Sequence, residues 1–463
     1  MINRTFTIVI VKNSANKLMQ PVKNQDIERL RGVAIIAVFL QHVNHRIPVA
    51  PGFGRLLDDH IILFATGVDL FLAVSGFVVA RSLLDSFGTG ATKPQVLKAF
   101  FARRFFRLIP SAWLWLAISF VLYTFIIKSV PNVEPRTVLN GVIAALLNIS
   151  NLFWYYCHSG ASTAASMCAH GDTNSYYWSL SLEEQLYLLV ALAVCLFSIR
   201  KLAAIFAAII VVQFFLDRPS FGLAWSLRTD SFLLGVMICF LRRTPYASAF
   251  DSLLCRIRPT GAIVLMAVGF SAVIVAPVQM PVIGMGIAAI GCGLLVLIAS
   301  ANLNLVPGGQ LIAWIGSRSY AIYLIHLVVL HLIREALMRM GVLTHETDWP
   351  TFIGLALLAF AGTVLLAQVN LVAVERPFRR LGYLVSDRML RGRPAQIRSL
   401  NTMHYEFRGR FLFTGQSAVI LSSQSISLAL CLEWLGRAWW RLLDGKCSSG
   451  RGHLEGASFG CSP

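Results

Sequence analysis

The sequence is poor in charge. Of its 463 residues, 13% are charged and 56% are hydrophobic, whereas ordinary soluble domains carry about 25% charged residues. The composition therefore excludes a typical soluble domain. Apolar runs of roughly 17–25 residues recur along the chain, and each is long enough to cross a hydrocarbon core of about 30 Å. We predict an all-α protein, a polytopic bundle of transmembrane helices.

Patterns typical of metal sites and secretory signals are also missing. The nine cysteines include no CxxC pair, and the histidines show no HxxxH spacing in a polar context, so we predict no bound metal. The apolar patch FTIVIV near the start is shorter than the core of a signal peptide, and residues 1–25 are predicted to be a cytoplasmic segment. Cys157 and Cys168 share one loop and are able to pair if it faces an oxidising compartment.

The net charge of +18 does not indicate nucleic acid as a partner, because most basic residues flank apolar spans, as the positive-inside rule requires. The partner it indicates is the lipid bilayer. We predict about ten spans, and they fall near residues 32–49, 61–82, 107–127, 183–199, 202–217, 224–241, 260–277, 282–300, 312–333 and 351–373.

A further apolar stretch, 137–153, is interpreted as an interfacial or re-entrant segment. Counting it as an eleventh span would place the later basic clusters outside, against the positive-inside rule. With ten spans both termini are cytoplasmic and the loop 128–182 lies outside. This divides the chain into a membrane domain, 26–385, and a basic cytoplasmic tail, 386–463, which is predicted to be poorly ordered. No internal repeat of the kind found in many secondary transporters is visible.

Two polar residues of the first span lie on one helix face. Arg31 and His42 are eleven residues apart, which is three turns plus about 20° and about 16 Å along the axis. Ionisable groups within a membrane are costly and usually face the bundle interior or a polar cavity. His42 either bonds a neighbouring helix and holds the bundle together, or takes a proton during catalysis.

Polar residues in later spans extend the candidate set. Asp69 needs a partner inside its span; it either orients an imidazole, as in hydrolase triads, or bonds helix-end amides. Arg103, Arg104 and Arg107 suit phosphate binding, although topology alone would explain one or two of them. Ser179 or Ser181 is expected to cap the helix that carries Glu183 and Glu184 near its start. The last such positions are Arg228, Asp230, Ser319, Tyr320, Tyr323 and His326.

Taken in order, these residues resemble the acyltransferase-3 family of bacterial integral membrane acyltransferases, over roughly residues 25–380. The matching motifs are R-x10-H (Arg31, His42), G-V-D-L-F-x-x-x-S-G-F (67–77), R-R-x-x-R-x-x-P (103–110), W-S-L-S-x-E-x-Q-x-Y (178–187), R-x-D-x-x-x-x-G (228–235), G-x-x-S-Y-x-x-Y-L-x-H (316–326) and E-R-P (375–377). Any one motif is weak, but seven in register are strong.

The resemblance implies an enzyme of the bacterial inner membrane with no bound cofactor. It would move an acyl group, expected to be acetyl, from cytoplasmic acyl-CoA to a hydroxyl of an envelope carbohydrate or glycolipid such as lipopolysaccharide. We expect His42 to act as general base or acyl-carrying nucleophile, with Asp69 and Glu183 in catalytic support. Acyl-CoA is expected at Arg31, Arg103, Arg104 and Arg107. The acceptor cavity is expected at Tyr187, Arg228, Asp230, Ser319, Tyr320 and His326.

Two alternatives stay open at this point. A secondary transporter of a small polar solute would also place His, Asp and Arg inside the membrane, and it would show no dependence on acyl-CoA. Acyl transfer of another group, such as succinyl, to a small molecule other than a carbohydrate is the alternative within the enzyme interpretation.

Overall fold

The computed structural model describes residues 24–47, 64–127, 134–161, 163–168, 174–257, 259–280, 282–341 and 348–391. Within these ranges every regular element is a helix, which confirms the predicted all-α class. The helices of two turns or more are α1 (Gln25–Arg46), α2 (Gly67–Phe87), α3 (Lys93–Val121), α4 (Pro135–Leu146), α5 (Ser150–His158), α6 (Tyr177–Leu196), α7 (Ile199–Phe214), α8 (Asp230–Leu241), α9 (Tyr246–Arg256), α10 (Pro259–Ile274), α11 (Gly284–Ser300), α12 (Gly309–Gly316), α13 (Ser319–Arg339), α14 (Trp349–Asn370) and α15 (Arg376–Arg391).

Six of the described helical segments are long and apolar enough to cross a membrane, or seven if α9 and α10 form one bent span. The prediction of about ten spans is therefore not confirmed. The six are Phe64–Phe87, Lys93–Ile126, Tyr177–Leu196, Leu223–Leu241, Ser319–Arg339 and Trp349–Leu390. Two of the predicted spans form helices that are shorter than a bilayer core. Helices α7 and α11 have 16 and 17 residues, about 24–26 Å at 1.5 Å per residue.

Helix α1 is not counted among these spans because its first two turns carry charged residues, which leaves its apolar part too short. These charges are held inside the protein: Asp26 pairs with Arg29 at 3.0 Å and accepts from the backbone N–H groups of Leu305 and Val306. Asn24 caps the helix by accepting from the Ile27 N–H at 3.0 Å. The start of α1 is thus fixed to the segment before α12 by satisfied polar contacts.

Helices α1 and α13 run side by side in the same direction. A Cβ on Gly316, just before α13, would lie 1.8 Å from the Glu28 carbonyl oxygen, so the two backbones nearly touch there. Further along both helices, the rings of His42 and His326 have centroids 4.9 Å apart. This parallel pairing brings the polar residues of the two helices to the same levels of the bundle.

Helix α3 runs in the same direction as α13. The Tyr320 hydroxyl donates to the Leu108 carbonyl at 2.6 Å, and farther along Tyr123 hydrogen-bonds His331. Helix α6 runs the opposite way, since its early residue Tyr177 donates to the Ala112 carbonyl while Tyr187 lies beside Arg104, earlier in α3. We call the end of the bundle with Arg31, Arg104 and Arg107 the Arg31 end, and the end with Arg46, Tyr123 and His331 the Arg46 end.

The segment 137–153 forms two short helices instead of a span. Helix α4 has 12 residues and α5 has 9, and they meet at Asn148, whose backbone is left-handed with φ 54°. The Asn148 carbonyl accepts from Gln185 at 2.8 Å, and Ser181 accepts from the Ser150 N–H. The tip of this helical hairpin therefore packs against the first half of α6, and its position relative to the membrane stays a prediction.

A disulfide joins Cys157 and Cys168, whose Cα atoms are 5.8 Å apart. It links the end of α5 to the single helical turn Ala164–Met167. The sequence left this pairing open. At the other end of the chain, the predicted boundary at 385 falls inside α15, which continues to Arg391. The predictions for residues 1–23 and 392–463 lie outside the described residues.

Two glycines let α2 and α8 cross in near contact. A Cβ on Gly235 would lie 1.9 Å from the Ala73 carbonyl oxygen, and one on Gly76 would lie 2.0 Å from that of Phe232. No real Cβ tolerates such a distance, so any side chain here must push the helices apart. The crossing fixes the position of α2, which carries Asp69 and Ser75.

Gly235→Ala is expected to lower the stability of the protein by about 1–3 kcal/mol, the usual cost of forcing extra atoms into a packed core. The thermal unfolding midpoint of the detergent-purified protein measures this loss. Gly354→Ala is the matched control, because a Cβ on Gly354 meets nothing within 4 Å. Equal midpoints for the two variants would contradict the close crossing of α2 and α8.

Candidate active site

A cavity lies between α1, α2, α3, α6 and α13. Its empty volume is about 760 Å³, open solvent included. The lining mixes apolar side chains with cations, one carboxylate and several hydroxyls, as binding sites for polar small molecules do. Its polar lining residues are Arg31, Ser75, Arg104, Arg107, Ser179, Glu183, Tyr187, Ser319, Tyr320 and Tyr323.

Three guanidinium groups line this cavity: those of Arg31, Arg104 and Arg107. Arg104 is 8% exposed and lies over the Tyr187 ring at 5.0 Å, a cation–π contact. Arg31 lies 3.5 Å from Glu28. The cationic surface suits a polyanion, because guanidinium binds phosphate oxygens in a bidentate way.

Arg103 does not join the other three arginines at the cavity. Its guanidinium donates to the Ser86 hydroxyl at 2.8 Å, on the last turn of α2. The sequence grouped Arg103 with Arg104 and Arg107 because all three precede Pro110. The reason for the separation is that Arg103 faces α2, where a hydroxyl is within reach.

Glu183 forms the polar centre of the cavity. Its carboxylate accepts hydrogen bonds from the hydroxyls of Ser75 and Tyr187, and these two hydroxyls are 2.8 Å apart. The predicted cap was wrong, because the helix begins at Tyr177 and not at the serines. Glu183 therefore lies in the second turn, away from the free N–H groups of the helix start, where it links α2 to α6.

The two serines expected to cap this helix have other partners. Ser179 hydrogen-bonds the Tyr323 hydroxyl at 2.6 Å, and Ser181 accepts from the Ser150 N–H. Ser179 and Tyr323 both line the cavity, and neither was assigned to the site from sequence. The signal that pointed to Tyr323 was its place in the G-x-x-S-Y-x-x-Y-L-x-H run.

His42 contacts His326 and lies outside the cavity lining. Its Nδ1 is 2.8 Å from the Val38 carbonyl oxygen and 3.4 Å from Nε2 of His326. His326 is fully buried, and its Nδ1 lies 2.6 Å from the Tyr323 carbonyl oxygen. The structure thus brings two of the predicted site residues together, one from α1 and one from α13.

Tyr323 connects the cavity to the histidine pair. Its ring lines the cavity, and the ring centroid lies 5.5 Å from that of His326. Its hydroxyl donates to the Tyr176 carbonyl at 2.7 Å. Along α1, Arg31 and His42 are about 16 Å apart. Tyr323 lies between the two levels, because it lines the cavity and contacts His326.

Asp69 is paired with Arg228, so the expectation that it orients His42 is not supported. Its Oδ1 lies 3.3 Å from Arg228 Nε, and both side chains are nearly inaccessible. The Arg228 guanidinium also lies over the rings of Trp178 and Trp225, at 4.6 and 4.9 Å from their centroids. A carboxylate inside a bundle needs a cation, and the close packing of α2 on α8 supplies this one.

The other predicted residues have mixed positions. Asp230 pairs with Arg218 at 2.7 Å, and neither lines the cavity; the Arg218 pairing carried no sequence signal. Arg228 and Asp230 do not line the cavity, because each is held in a buried ion pair, with Asp69 and Arg218 respectively. Ser319 and Tyr320 do line the cavity, as predicted, at the first turn of α13.

Comparisons with known proteins place the chain in a family. A family model described as "Acyltransferase domain" matches residues 24–368, and the chain belongs to this acyltransferase-3 family. It is similar to the peptidoglycan O-acetyltransferase OatA of Listeria monocytogenes, at 23% identity over 402 residues, covering 77% of this chain and 56% of the relative. It is also similar to the O-acetyltransferase OatA of Staphylococcus aureus strain NCTC 8325, at 25% identity, covering 79% and 59%.

A putative O-acetyltransferase of Staphylococcus aureus strain COL is a third such relative, at 25% identity over 382 residues, covering 77% of this chain and 57% of the relative. The chain thus spans a little over half the length of these curated relatives. No solved structure matches it. The prediction of an acyltransferase is confirmed by the family match.

Proposed function

We propose that this membrane acyltransferase moves an acyl group, expected to be acetyl, from cytoplasmic acyl-CoA to a hydroxyl of a cell-envelope carbohydrate. The observation that carries the proposal is one cavity with three guanidinium groups and, at Tyr323, contact with the His42–His326 pair. Acyl transfer from CoA needs cations for the phosphates and, at the other end of the donor, a base near the thioester. The cavity with its three guanidinium groups and the neighbouring histidine pair suit these two needs.

The cations of the cavity are expected to bind the phosphates of CoA. Arg31, Arg104 and Arg107 come from two different helices, and each guanidinium donates several hydrogen bonds in a planar fork. With the phosphates held there, the pantetheine arm would run along Ser75, Glu183 and Tyr323 toward His42. Glu183, with its two hydroxyl donors, is proposed to hold the polar part of this arm or the acceptor.

The proposed chemistry uses His42 as the group that accepts a proton. The imidazole removes the proton from the acceptor hydroxyl, and the oxygen attacks the thioester carbonyl carbon. The C–S bond then breaks, an ester forms, and the CoA thiolate takes the proton from the His42 imidazolium, which returns the imidazole to its neutral state. The alternative in which His42 first carries the acyl group also uses this residue.

The sidedness of the reaction is proposed from charge and from the cystine. Basic residues gather at the Arg31 end and in α15, which contains Arg376, Arg379 and Arg380, and cytoplasmic faces are rich in such residues. Disulfides persist in oxidising compartments, and Cys157–Cys168 lies in the segment proposed to be outside. Acyl-CoA would therefore enter from the cytoplasm, and the acceptor from the opposite side of a bacterial inner membrane.

The nature of the acceptor is proposed from the relatives. One is named a peptidoglycan O-acetyltransferase, which supports acetyl as the group and a carbohydrate hydroxyl as the acceptor. The alternative, succinyl or another acyl group on a small molecule, predicts that succinyl-CoA is turned over faster than acetyl-CoA. Initial rates with both donors and a muropeptide acceptor separate the two.

Arg107→Gln is expected to raise the KM for acyl-CoA by about 10–100-fold with a smaller change in kcat. One lost charge-assisted hydrogen bond costs about 1.5–3 kcal/mol, and each 1.36 kcal/mol is tenfold. Initial rates over a range of acetyl-CoA concentrations, with protein in lipid nanodiscs, give both parameters. The same variant should show weaker binding of desulfo-CoA, which reports on the phosphate contacts without turnover.

Arg103→Gln is the matched control. It removes the same charge from the same helix, but Arg103 bonds Ser86 and does not line the cavity, so its KM should stay within about twofold of the wild type. A larger KM for Arg103→Gln than for Arg107→Gln would contradict the assignment of the cavity to the donor.

A further inference from the structure

Two imidazoles from different helices face each other, and their hydrogen bonds report which nitrogen carries the proton. His326 Nδ1 lies 2.6 Å from the Tyr323 carbonyl oxygen. A carbonyl oxygen can only accept, so this nitrogen must carry a hydrogen. In the neutral ring the other nitrogen, Nε2, then carries a lone pair, and it is this nitrogen that faces His42.

The same reasoning applies to His42. Its Nδ1 lies 2.8 Å from the Val38 carbonyl oxygen, which again can only accept, so His42 carries its hydrogen on Nδ1. The nearest nitrogen of His326 is Nε2, at 3.4 Å, with its lone pair. His42 Nδ1–H is thus directed at two acceptors, one on its own helix and one on α13.

We propose that His326 is the positioning residue of His42 and holds it in the tautomer whose Nε2 bears the lone pair. This is the role that the sequence predicted for Asp69, whose carboxylate pairs with Arg228. The inference rests on the proposed function only in its use of His42 Nε2 as base or nucleophile. The tautomer itself is a property of the resting protein.

The arrangement also suits the charge that forms during transfer. When His42 Nε2 takes the proton of the acceptor hydroxyl, the ring becomes a cation and Nδ1–H becomes a stronger donor. The lone pair of His326 and the Val38 oxygen accept from it in that state. Arg46 interacts electrostatically with His326, and Arg334 with Arg46. The positive charge of these two arginines makes an acceptor for the new cation more important.

His326 is itself held in place. It is fully buried, with the rings of Tyr176 and Tyr323 at 5.8 and 5.5 Å and its Nδ1–H donated to the backbone of α13. Such support keeps the ring orientation of a positioning residue constant, which a carboxylate does for histidine in other sites.

The test compares His326→Leu with His326→Gln in nanodiscs. Leucine removes the acceptor, whereas the glutamine carbonyl can accept from His42 Nδ1–H. Nitrogen-15 NMR of histidine-labelled protein, with the His42 signals assigned by their loss in His42→Gln, reports the tautomer. We expect Nδ1–H in the wild type and in His326→Gln, and a larger share of the Nε2–H tautomer in His326→Leu, where the Val38 carbonyl is the one acceptor of the pair that remains. We also expect kcat to fall about 10–100-fold in His326→Leu, with the KM for acyl-CoA nearly unchanged, and to be partly restored in His326→Gln.

His331→Gln is the control for packing, because His331 is equally buried on the same helix and bonds Tyr123 instead of His42. It should leave the His42 tautomer unchanged. An unchanged tautomer in a folded His326→Leu protein would overturn the proposal, as would equal losses of kcat in both His326 variants. If the wild type transfers no acyl group, the proposed function fails while the tautomer comparison still decides the role of His326.

Discussion

His42→Ala is expected to lower the rate of acyl transfer by about 10²–10⁴-fold, the range that general acid–base catalysis contributes. The imidazole is the group proposed to take the acceptor's proton, and the Val38 carbonyl that it contacts cannot replace it as a base. Turnover of acetyl-CoA by the purified variant in lipid nanodiscs, with a muropeptide acceptor, measures the loss. Binding of acyl-CoA should change little, because the donor phosphates are expected about 16 Å away, near Arg31.

The matched control is His158→Ala. His158 is an exposed histidine at the end of α5 that stacks on Phe221 and does not line the cavity. For this reason, turnover by His158→Ala should stay near that of the wild type. Full activity in a folded His42→Ala protein would remove this imidazole from the chemistry and leave Glu183 as the candidate base.

Asp69→Asn is expected to destabilise the protein by about 3–5 kcal/mol, because it leaves the buried Arg228 cation without its partner. The double variant Asp69→Leu with Arg228→Met should regain much of that loss, since apolar replacement of a buried ion pair is often neutral or stabilising. Thermal unfolding midpoints of the three proteins measure both effects. Any loss of turnover in Asp69→Asn should follow its loss of folded protein.

A loss of activity without a loss of stability would support the role that the sequence predicted for Asp69, the orientation of His42. If Asp69→Asn keeps the wild-type midpoint and loses activity, and the double variant remains inactive, the carboxylate would serve the histidine and not the fold. The two interpretations predict different stabilities for Asp69→Asn, and stability is measured without substrate.

The sequence predicted the relative position of two residues well where both lie on the same helix. Arg31 and His42 are eleven residues apart, so helical periodicity places them on one face about 16 Å apart, and the structure has both on the face toward α13. The interpretation of 137–153 as an interfacial or re-entrant segment, and not a span, followed from the positions of the basic residues beside the other spans. It agrees with two helices of 12 and 9 residues, neither of which is long enough to cross.

Contacts between helices were less predictable. A carboxylate within a span demands a partner, but whether Asp69 meets His42 or Arg228 depends on the crossing of α2 and α8 at Gly76 and Gly235. Arg103 and Arg107 are one turn apart and look equivalent in sequence, and the Ser86 hydroxyl separates them. The prediction of about ten spans is not confirmed over the described residues, where an apolar run such as that of α7 forms a helix of only 16 residues.

The central claim is that the acyl group of cytoplasmic acyl-CoA passes through this cavity to an acceptor on the other side. The measurement that tests it most directly uses proteoliposomes with the protein in a known orientation, acetyl-CoA labelled in the acetyl group on one side and a muropeptide on the other. We expect labelled ester on the muropeptide only when acetyl-CoA is on the Arg31 side, and about 10–100-fold less of it with Arg107→Gln at low donor concentration. Label transfer from the opposite side only, or no release of free CoA with any acceptor, would contradict it.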